Sequence, residues 1–388
     1  MKTVLVRGPL LSDSGYGVHC RQIFRFCESQ KDWKVFTQIL PWGITPWNID
    51  REAEDGLIGR IMHASQPHGE KFDVTFQVQL PNEWDPNLGK FNIGVTAGVE
   101  TDKCSVEWAT THREKMNLVI VPSEFTKSAF MLSGTKKEKT PIRVVPEAYF
   151  SEILNPAKND PLSHLETTKN FLIVGTLTSD DPASDRKNLT NSILWFLQAF
   201  KGQKDVGLVV KTTKGRDTTI DRELVRKMLR QIKRASGVED SPRLYMLHGS
   251  MNRQEMTDLY RSPKICAFVS ATHGEGFGLP LLEAAVVGMP VVATDWSAHT
   301  EFLSGPSFVR VACDMIQIPE SRADGNIFVK NAIWANPREG NYKRNLKYAL
   351  EKQDELKESA KKLSQELIES HSLESIFEKY RNALPEIF

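Results

Sequence analysis

Short apolar runs alternate with amphipathic segments along most of this chain, and that alternation constrains its fold more than any other feature. The runs TVLVRG (3–8) and WKVFTQIL (33–40) have the length and composition of buried strands. A helical pattern occupies 18–29 between them, and a second one, at 124–134, ends at a glycine. Strands that alternate with helices indicate a parallel sheet covered by helices on both faces.

The alternation occurs twice, with a polar segment between the two series. Residues 151–168 contain two prolines and lack hydrophobic periodicity, so we interpret them as a linker. A chain of 388 residues is also longer than one ordinary core. We therefore predict an α/β protein with an N-terminal domain over 1–160 and a C-terminal domain over 161–369. The other predicted strands are 73–79, 91–98, 118–123 and 141–148 in the first series, and 171–177, 206–212, 242–250, 264–271 and 291–294 in the second. The other predicted helices are 191–200, 222–236, 253–263 and 281–287, with a helical pattern in the tail 342–384.

Composition argues against several classes of function. Charged residues make up 26% of the chain and balance to a formal net charge of +1. No global field therefore favours nucleic acid or an anionic membrane, although a local basic patch is compatible with this balance. No apolar run approaches the roughly 20 residues that span a bilayer. The five cysteines are scattered, without a CxxC or Cys/His ligand spacing, so we expect reduced thiols in a cytoplasmic protein and no structural zinc.

The most specific motif is the run HGEGFGLPLLEAAVVGMPVVATD (273–295). Seven residues separate Glu275 from Glu283, and a glycine loop and a predicted helix start lie between them. Gly276 and Gly278 let the backbone turn sharply and approach a ligand closely. Loop N–H groups at a helix N-terminus form an anion site, and the carboxylates can accept hydrogen bonds from sugar hydroxyls. The alternative is an ordinary strand–loop–helix connection with two solvated glutamates.

This block resembles the E-x7-E signature of retaining glycosyltransferases with the GT-B fold, particularly the large family-4 group. The resemblance extends over about 170–300, with further family-like elements at 115–150, and is thin before 110. It implies two Rossmann-like, doubly wound domains that face an interdomain cleft. It also implies that the last helix, 370–388, packs back on the N-terminal domain.

The resemblance implies roles for five residues of the motif. Glu275 would hold the hydroxyls of the donor sugar, and Glu283 would hold the ribose of the nucleotide. The backbone of Gly276, Phe277 and Gly278 would meet the sugar or the diphosphate. The donor would be a UDP-, GDP- or ADP-sugar.

A basic cluster accompanies the glutamates. Arg186 and Lys187 lie on a polar loop after the strand 171–177, and Lys211 closes the next strand, so the three project to one sheet edge. Cations in this place would oppose a diphosphate leaving group as its charge grows. The alternative is a solvated basic loop. Many members of the resembled family have arginine where this chain has Thr176, which leaves open whether Arg186 or Lys211 replaces it.

Four further residues are weaker candidates. Gly15 and Gly17 lie on a loop that could let backbone N–H groups approach a phosphate or an acceptor, although the loop is not GxGxxG. Glu100 follows the strand 91–98, where relatives place a histidine or an acid beside the transferred sugar or the acceptor. We predict that Glu100 and Glu275 are both catalytic. Ser250 lies in LHGS, where relatives approach the nucleobase with loop backbone.

The sequence gives little support for a metal. Asp180 and Asp181 precede a proline and predict a turn rather than a metal-binding DxD pair. We therefore expect metal-independent chemistry without a cofactor, with the nucleotide sugar as co-substrate. Ser297 and His299 continue the same edge of the C-terminal domain without an assigned role.

The resulting hypothesis is a retaining glycosyltransferase, of the hexosyltransferase kind, that acts on an unidentified acceptor. Glycans, lipid-linked sugars, proteins, metabolites and modified nucleic-acid bases all fit, and the oligomeric state is open. One rival is a sugar-nucleotide epimerase or a glycoside phosphorylase on the same fold, because fold does not settle chemistry. The other is a non-catalytic nucleotide-sugar-binding protein.

Overall fold

The chain divides into two compact units. The computed structural model describes residues 1–135, 137–177, 179 and 181–388, so Asp180 of the predicted turn lies outside the described residues. The polar segment 151–168 belongs to the second unit, and the chain enters that unit before it, at Tyr149. Unit 1 comprises Met1–Ala148, Ala323–Ala332 and Leu373–Phe388, and unit 2 comprises Tyr149–Arg322 and Ile333–Ser372.

Unit 1 is built on a six-stranded parallel sheet in the order β2-β1-β3-β4-β5-β6. All six strands were predicted from the apolar runs, and β4 ends before the predicted boundary. The strands are β1 (Lys2–Gly8), β2 (Trp33–Ile39), β3 (Phe72–Val78), β4 (Gly89–Val95), β5 (Leu118–Val121) and β6 (Ile142–Val144). The helices among them are α1 (Gly15–Glu28), α2 (Ala53–His63) and α3 (Glu124–Ser133).

Helix α2 was not predicted, and its backbone explains why. Glu54, Asp55 and Gly56 all have positive φ, at 53°, 57° and 74°, so the element contains a kink where no regular helix runs. Residues other than glycine rarely adopt the left-handed backbone conformation, so the sequence does not indicate this kink. The local sequence also has no helical periodicity from which the element could be predicted.

Unit 2 contains a six-stranded parallel sheet in the order β12-β11-β10-β7-β8-β9. The chain leaves β7 towards β8 and later returns to β10 on the other side, so the strand order reverses between β7 and β10. The strands are β7 (Lys169–Val174), β8 (Val206–Thr212), β9 (Arg243–His248), β10 (Ile265–Ser270), β11 (Val291–Thr294) and β12 (Phe308–Val311). The helices between them are α4 (Leu189–Ala199), α5 (Thr219–Ala235), α6 (Arg253–Tyr260) and α7 (Leu279–Val286).

The strands that follow β11 were not predicted from the sequence. An antiparallel pair, β13 (Cys313–Gln317) and β14 (Ile333–Pro337), follows β12. Strand β13 is exposed along most of its length, so it lacks the apolar alternation that marks a half-buried strand. The segment Ala323–Ala332 between these two strands clusters with unit 1.

Three helices end the chain: α8 (Glu339–Glu351), α9 (Gln353–Ser370) and α10 (Leu373–Ala383). Helix α10 belongs to unit 1, where the ring of Tyr380 stacks on that of Phe26 at 5.0 Å between centroids. Beyond it, Arg143 forms an ion pair of 2.5 Å with Glu386. Among the helices of the described residues, none is long and apolar enough to cross a membrane.

Gly207 in β8 has no room for a side chain. An added Cβ would overlap the buried Asn170 amide oxygen and lie 2.9 Å from the ring of Tyr245. The Asn170 amide cannot easily move, because its nitrogen donates to the carbonyl oxygen of Lys264 at 3.1 Å. We predict that Gly207→Ala lowers the free energy of unfolding by about 1–3 kcal/mol, measured by denaturant titration.

The matched control is Gly340→Ala in α8 of the same unit. The nearest atom to its added Cβ is a guanidinium nitrogen of Arg344 at 3.6 Å, an ordinary contact. Alanine is also the better helix former, so this variant should be as stable as the wild type or slightly more stable. Equal unfolding midpoints for the two variants would contradict the packing argument.

Candidate active site

The candidate site lies at the carboxyl edge of the unit 2 sheet, between β7 and β10. These two strands are parallel neighbours, and the chain moves away from them in opposite directions. Ligands of open parallel sheets bind at such a reversal, outside the carboxyl ends of the strands. A small cavity occupies this position, and its lining includes Val174, Lys187, Ser270, Glu275 and Pro280.

A buried ionic cluster forms where the loops after β7 and β10 meet. The Lys187 ammonium donates to both carboxylate oxygens of Glu275, each at 2.7 Å. A guanidinium nitrogen of Arg186 lies 3.3 Å from the same carboxylate and donates to the carbonyl oxygen of Gly274 at 2.9 Å. The structure therefore brings three of the predicted site residues into one cluster.

Glu275 is held as an anion. The residue is 5% exposed, and burial by itself would raise its pKa. The charges of Lys187 and Arg186, the hydrogen bond from Lys187 and the influence of His299 outweigh burial and lower the pKa to about 2. A paired, hydrogen-bonded carboxylate of this kind stays ionised throughout the physiological range.

The loop after β7 is fixed by two residues that sequence reasoning passed over. The Asp185 carboxylate accepts the N–H of Leu189, the first residue of α4, at 2.8 Å. Asn188 has a φ of 52°, and its side-chain amide donates to the carbonyl oxygen of Ala271 at 2.9 Å. Both residue types suit such positions, since Asp accepts N–H groups at helix starts and Asn tolerates the left-handed region.

Ser297 and His299 support Glu275 from the other side. The Ser297 hydroxyl oxygen accepts the N–H of Glu275 at 2.9 Å and lies 3.3 Å from Nδ1 of His299. Nε2 of His299 lies 2.7 Å from the carbonyl oxygen of Thr294, which only accepts, so Nε2 carries the proton. Burial lowers the pKa of the fully enclosed His299. These residues therefore fix the backbone of Glu275.

The start of α7 explains the second glycine of the motif. Gly278 precedes the helix with a φ of 105°, and an added Cβ would lie 3.3 Å from Cβ of His299. Pro280 occupies the first turn, where its missing N–H group costs no hydrogen bond. The helix ends at Val286, and Gly288 follows with a φ of 77° in the left-handed region.

Two members of the motif have other surroundings. The Phe277 side chain is buried in the unit 2 core, with its ring centroid 5.3 Å from that of Phe302, so only its backbone is suited to a ligand. Glu283 is buried on α7, where Tyr260 of α6 donates a hydrogen bond of 2.9 Å to its carboxylate. Burial raises the pKa of Glu283 to about 7, although Arg253 and the bond from Tyr260 act in the opposite direction.

Lys211 lies near the carboxyl end of β8, and Ser250 follows the neighbouring strand β9. Both residues are therefore at the same edge of the sheet. The Lys211 ammonium donates to the carbonyl oxygen of Gly249 at 2.7 Å. The Ser250 hydroxyl donates to the carboxylate of Asp217 at 2.7 Å. The hydroxyl oxygens of Thr176 and Thr213 lie 3.1 Å apart.

The remaining candidates belong to unit 1. An added Cβ on Gly17 would overlap the carbonyl oxygen of Ser12, so close packing requires glycine at this position. An added Cβ on Gly15 would meet no atom within 4 Å. Between them, the Tyr16 hydroxyl accepts the N–H of Ala97 at 3.0 Å. Burial raises the pKa of Tyr16, and the charge of Glu100 adds to this effect. Tyr16 therefore brings the α1 start and the Glu100 loop together.

Part of unit 2 is similar to a known protein family. Residues 170–314 match the family model described as Glycosyl transferases group 1. Comparison with curated protein sequences gives no match.

Solved structures extend the likeness beyond those residues. HepE from Anabaena, in complex with UDP and glucose, has a TM-score of 0.61 and 13% identity, with 100% of both chains covered. A glycosyltransferase from Rickettsia africae has a TM-score of 0.65 and 13% identity, covering 100% of this chain and 98% of that one. The pneumococcal O-GlcNAc transferase GtfA, in complex with UDP and GlcNAc, has a TM-score of 0.52 and 14% identity over 81% of this chain. This chain spans 56% of GtfA.

These structural similarities show the fold, which is GT-B with two Rossmann-like units. The matched residues include the Arg186–Lys187–Glu275 cluster, together with Lys211 and Glu283, whereas the unit 1 candidates lie outside them. Within the part of the chain that the structure describes, no group of three or more His, Cys, Asp or Glu is arranged to hold a metal ion.

Glu275→Gln tests the ionic cluster. The substitution leaves two cations at a buried site without their counter-charge, so we predict a loss of roughly 2–4 kcal/mol in the free energy of unfolding at pH 7. The folded pKa of Glu275, about 2, lies below the ordinary value of 4.5. Its stabilisation is therefore complete above pH 4.5 and is lost as the pH falls from there towards 2.

Urea unfolding of both proteins at pH 7, 5 and 4 measures this difference. The gap between wild type and Glu275→Gln should be the same at pH 7 and 5 and narrower at pH 4. As a control, Glu166→Gln removes an exposed partner of Arg243 and should leave stability nearly unchanged. A gap that is independent of pH would show that the charge of Glu275 is not what stabilises the cluster.

Proposed function

We propose that this glycosyltransferase binds a nucleotide diphosphate sugar at the strand reversal of unit 2 and transfers the sugar to an acceptor with retention of configuration. The observation that carries the proposal is the Arg186–Lys187–Glu275 cluster between β7 and β10. It places two cations and one permanent anion beside the N-terminus of α7, which offers backbone N–H groups for an anion. A sugar diphosphate requires this combination of donors and acceptors.

The proposal gives each group of the cluster a role. The Glu275 carboxylate accepts hydrogen bonds from hydroxyls of the donor sugar, and Lys187 links that carboxylate to the diphosphate. Cleavage of the sugar–phosphate bond increases the negative charge on the diphosphate. Fixed cations stabilise that charge most in the transition state, which speeds the chemical step. Arg186 and Lys211 add to this field, so the reaction proceeds without a metal ion.

The surroundings of Glu275 support a mechanism without a protein nucleophile. A carboxylate with a pKa of about 2, bonded through both oxygens to Lys187, is a weak nucleophile and a weak base. The departing phosphate oxygen instead removes the proton of the acceptor hydroxyl. The acceptor attacks from the face that the phosphate leaves, and the configuration is retained.

UDP-sugars are the first donors to test, because the structures of HepE and GtfA hold UDP. The Lys211–Gly249 contact places a cation beside the loop that would approach the nucleobase, with Ser250 next to it. In unit 1, Glu100 and the backbone around Gly15 are proposed to contact the transferred sugar or the acceptor. The acceptor is a glycan, a lipid-linked sugar, a protein, a metabolite or a modified nucleic-acid base.

The proposal predicts one stabilising donor. We expect one member of a panel of UDP-, GDP- and ADP-sugars to raise the thermal midpoint in proportion to the logarithm of its concentration and to be hydrolysed slowly. Lys187→Ala should abolish both effects, whereas Lys90→Ala, which removes an exposed partner of Asp73, should leave them unchanged. Thermal scans and assays of released nucleotide diphosphate measure them.

Other results would select a rival. Product formation only with inorganic phosphate would indicate a phosphorylase, and a changed sugar without nucleotide release would indicate an epimerase. Equal stabilisation of wild type and Lys187→Ala would place the donor away from the cluster and contradict the proposal.

Donor affinity should depend on the ionisation of Glu283. A ribose hydroxyl donates to the ionised carboxylate, whose pKa is about 7 in the free protein. The ionised fraction falls as the pH falls through 7, so we predict that the Kd of the donor rises between pH 8 and pH 6. Tyr260→Phe removes a hydrogen bond that lowers this pKa, so it should move the midpoint to higher pH.

Isothermal titration with the intact nucleotide sugar checks this prediction, since its diphosphate ester has no group that titrates in this interval. Glu283→Gln is the control and should bind more weakly, with an affinity that does not change with pH. A wild-type affinity that is constant from pH 8 to pH 6 would remove Glu283 from the ribose site.

A further inference from the structure

Helix α5 concentrates positive charge on a chain that is nearly neutral as a whole. The chain has a formal net charge of +1, whereas α5 alone carries +4. Two acids, Asp221 and Glu223, lie at its N-terminal end. Its cations are Arg222, Arg226, Lys227, Arg230, Lys233 and Arg234. Such segregation of charge on one helix is typical of a surface that binds an anionic partner.

The two faces of α5 differ sharply. Val225, Leu229 and Ile232 are buried in the unit 2 core. The opposite face presents Lys227, Arg230 and Arg234, all exposed and spaced as neighbours along one side of a helix. We call this outer side, together with Ile220 and Leu224, the basic face.

The cations at the centre of the basic face are not neutralised within unit 2. Asp221 is engaged in the capping box with Thr218, and Glu223 pairs with Arg226. Considering only those residues that the structure describes, no carboxylate lies within 4.0 Å of the charged groups of Lys227, Arg230 or Arg234. Their charge is therefore directed to solvent and to whatever approaches this side of the unit.

Two apolar side chains flank the cations. Ile220 is 74% exposed and Leu224 is 44% exposed, and their spacing of four residues places them on one side of the helix. Neither belongs to the apolar core cluster that contains the buried side of α5. A soluble polyanion would be attracted by the cations alone and would gain nothing from exposed aliphatic groups.

We propose that the basic face of α5 docks on an anionic lipid bilayer. The three cations lie against the negative headgroups, and Ile220 and Leu224 enter the boundary between headgroups and acyl chains. A basic amphipathic helix with apolar side chains exposed at one edge is the chemistry that such a surface binds. Docking through unit 2 does not depend on which donor or acceptor the enzyme uses.

Vesicle co-sedimentation of the full chain tests the proposal. We expect binding to vesicles of phosphatidylcholine mixed with phosphatidylglycerol, little binding to phosphatidylcholine alone, and a loss of binding at high salt. The triple variant Lys227→Glu, Arg230→Glu, Arg234→Glu should bind the anionic vesicles at least about tenfold more weakly. Its control is Lys347→Glu, Lys361→Glu, Lys362→Glu, which changes the net charge equally at exposed positions of α8 and α9 and should bind like the wild type.

A second variant separates a bilayer from a soluble polyanion. Ile220→Ser with Leu224→Ser keeps every charge, and we expect it to weaken vesicle binding several-fold while leaving retention on heparin unchanged. Circular dichroism and thermal midpoints establish that each variant is folded. Equal losses in the two charge-reversal variants, or heparin retention without vesicle binding, would overturn the proposal.

Discussion

The contact between Lys187 and Glu275 is the interaction on which the candidate site depends. Each group is mostly buried, and a buried charge without a partner is costly, so each stabilises the charged form of the other. The two residues come from loops that leave adjacent parallel strands in opposite directions. Their ion pair therefore ties the loop after β7 to the loop after β10, and Arg186 adds a second link through Gly274. These contacts give the sheet edge its fixed arrangement of charge.

The backbone around the ion pair carries strain that the folded structure offsets. Asn188 and Ser297 both have positive φ, at 52° and 81°, which costs on the order of 1 kcal/mol or more for each residue. The side chains of both residues make hydrogen bonds that hold the strained turns, one to Ala271 and one to Glu275. Strained backbone of this kind is common at functional sites, where it holds side chains in a fixed position. Asn188 follows Lys187 directly in the chain, and Ser297 bonds the backbone of Glu275. The two residues therefore help to position both partners of the ion pair.

The sequence predicted the parallel sheets because apolar strands and amphipathic helices leave a periodic pattern, and it predicted the α7 start because glycine and proline have specific backbone requirements. It also located Arg186, Lys187 and Glu275 on converging loops. It could not predict the contact of Tyr260 with Glu283, or the role of His299, because such contacts join distant parts of the chain and leave no local pattern. Helix α2 and the exposed strand β13 were not predicted because their local sequences lack the periodicity that buried elements show.

The two glutamates of one motif end in opposite electrostatic environments, and this difference follows from their partners. Both are buried, which alone raises the pKa of a carboxyl group. Glu275 has two cations as neighbours and stays ionised, whereas at Glu283 burial outweighs the charge of Arg253 and the hydrogen bond from Tyr260, so its pKa lies near 7. The first is a permanent anion that fixes Lys187, and the second changes its charge within the physiological range. A ligand that donates a hydrogen bond to Glu283 favours its ionised form, so binding at this position is coupled to the release of a proton.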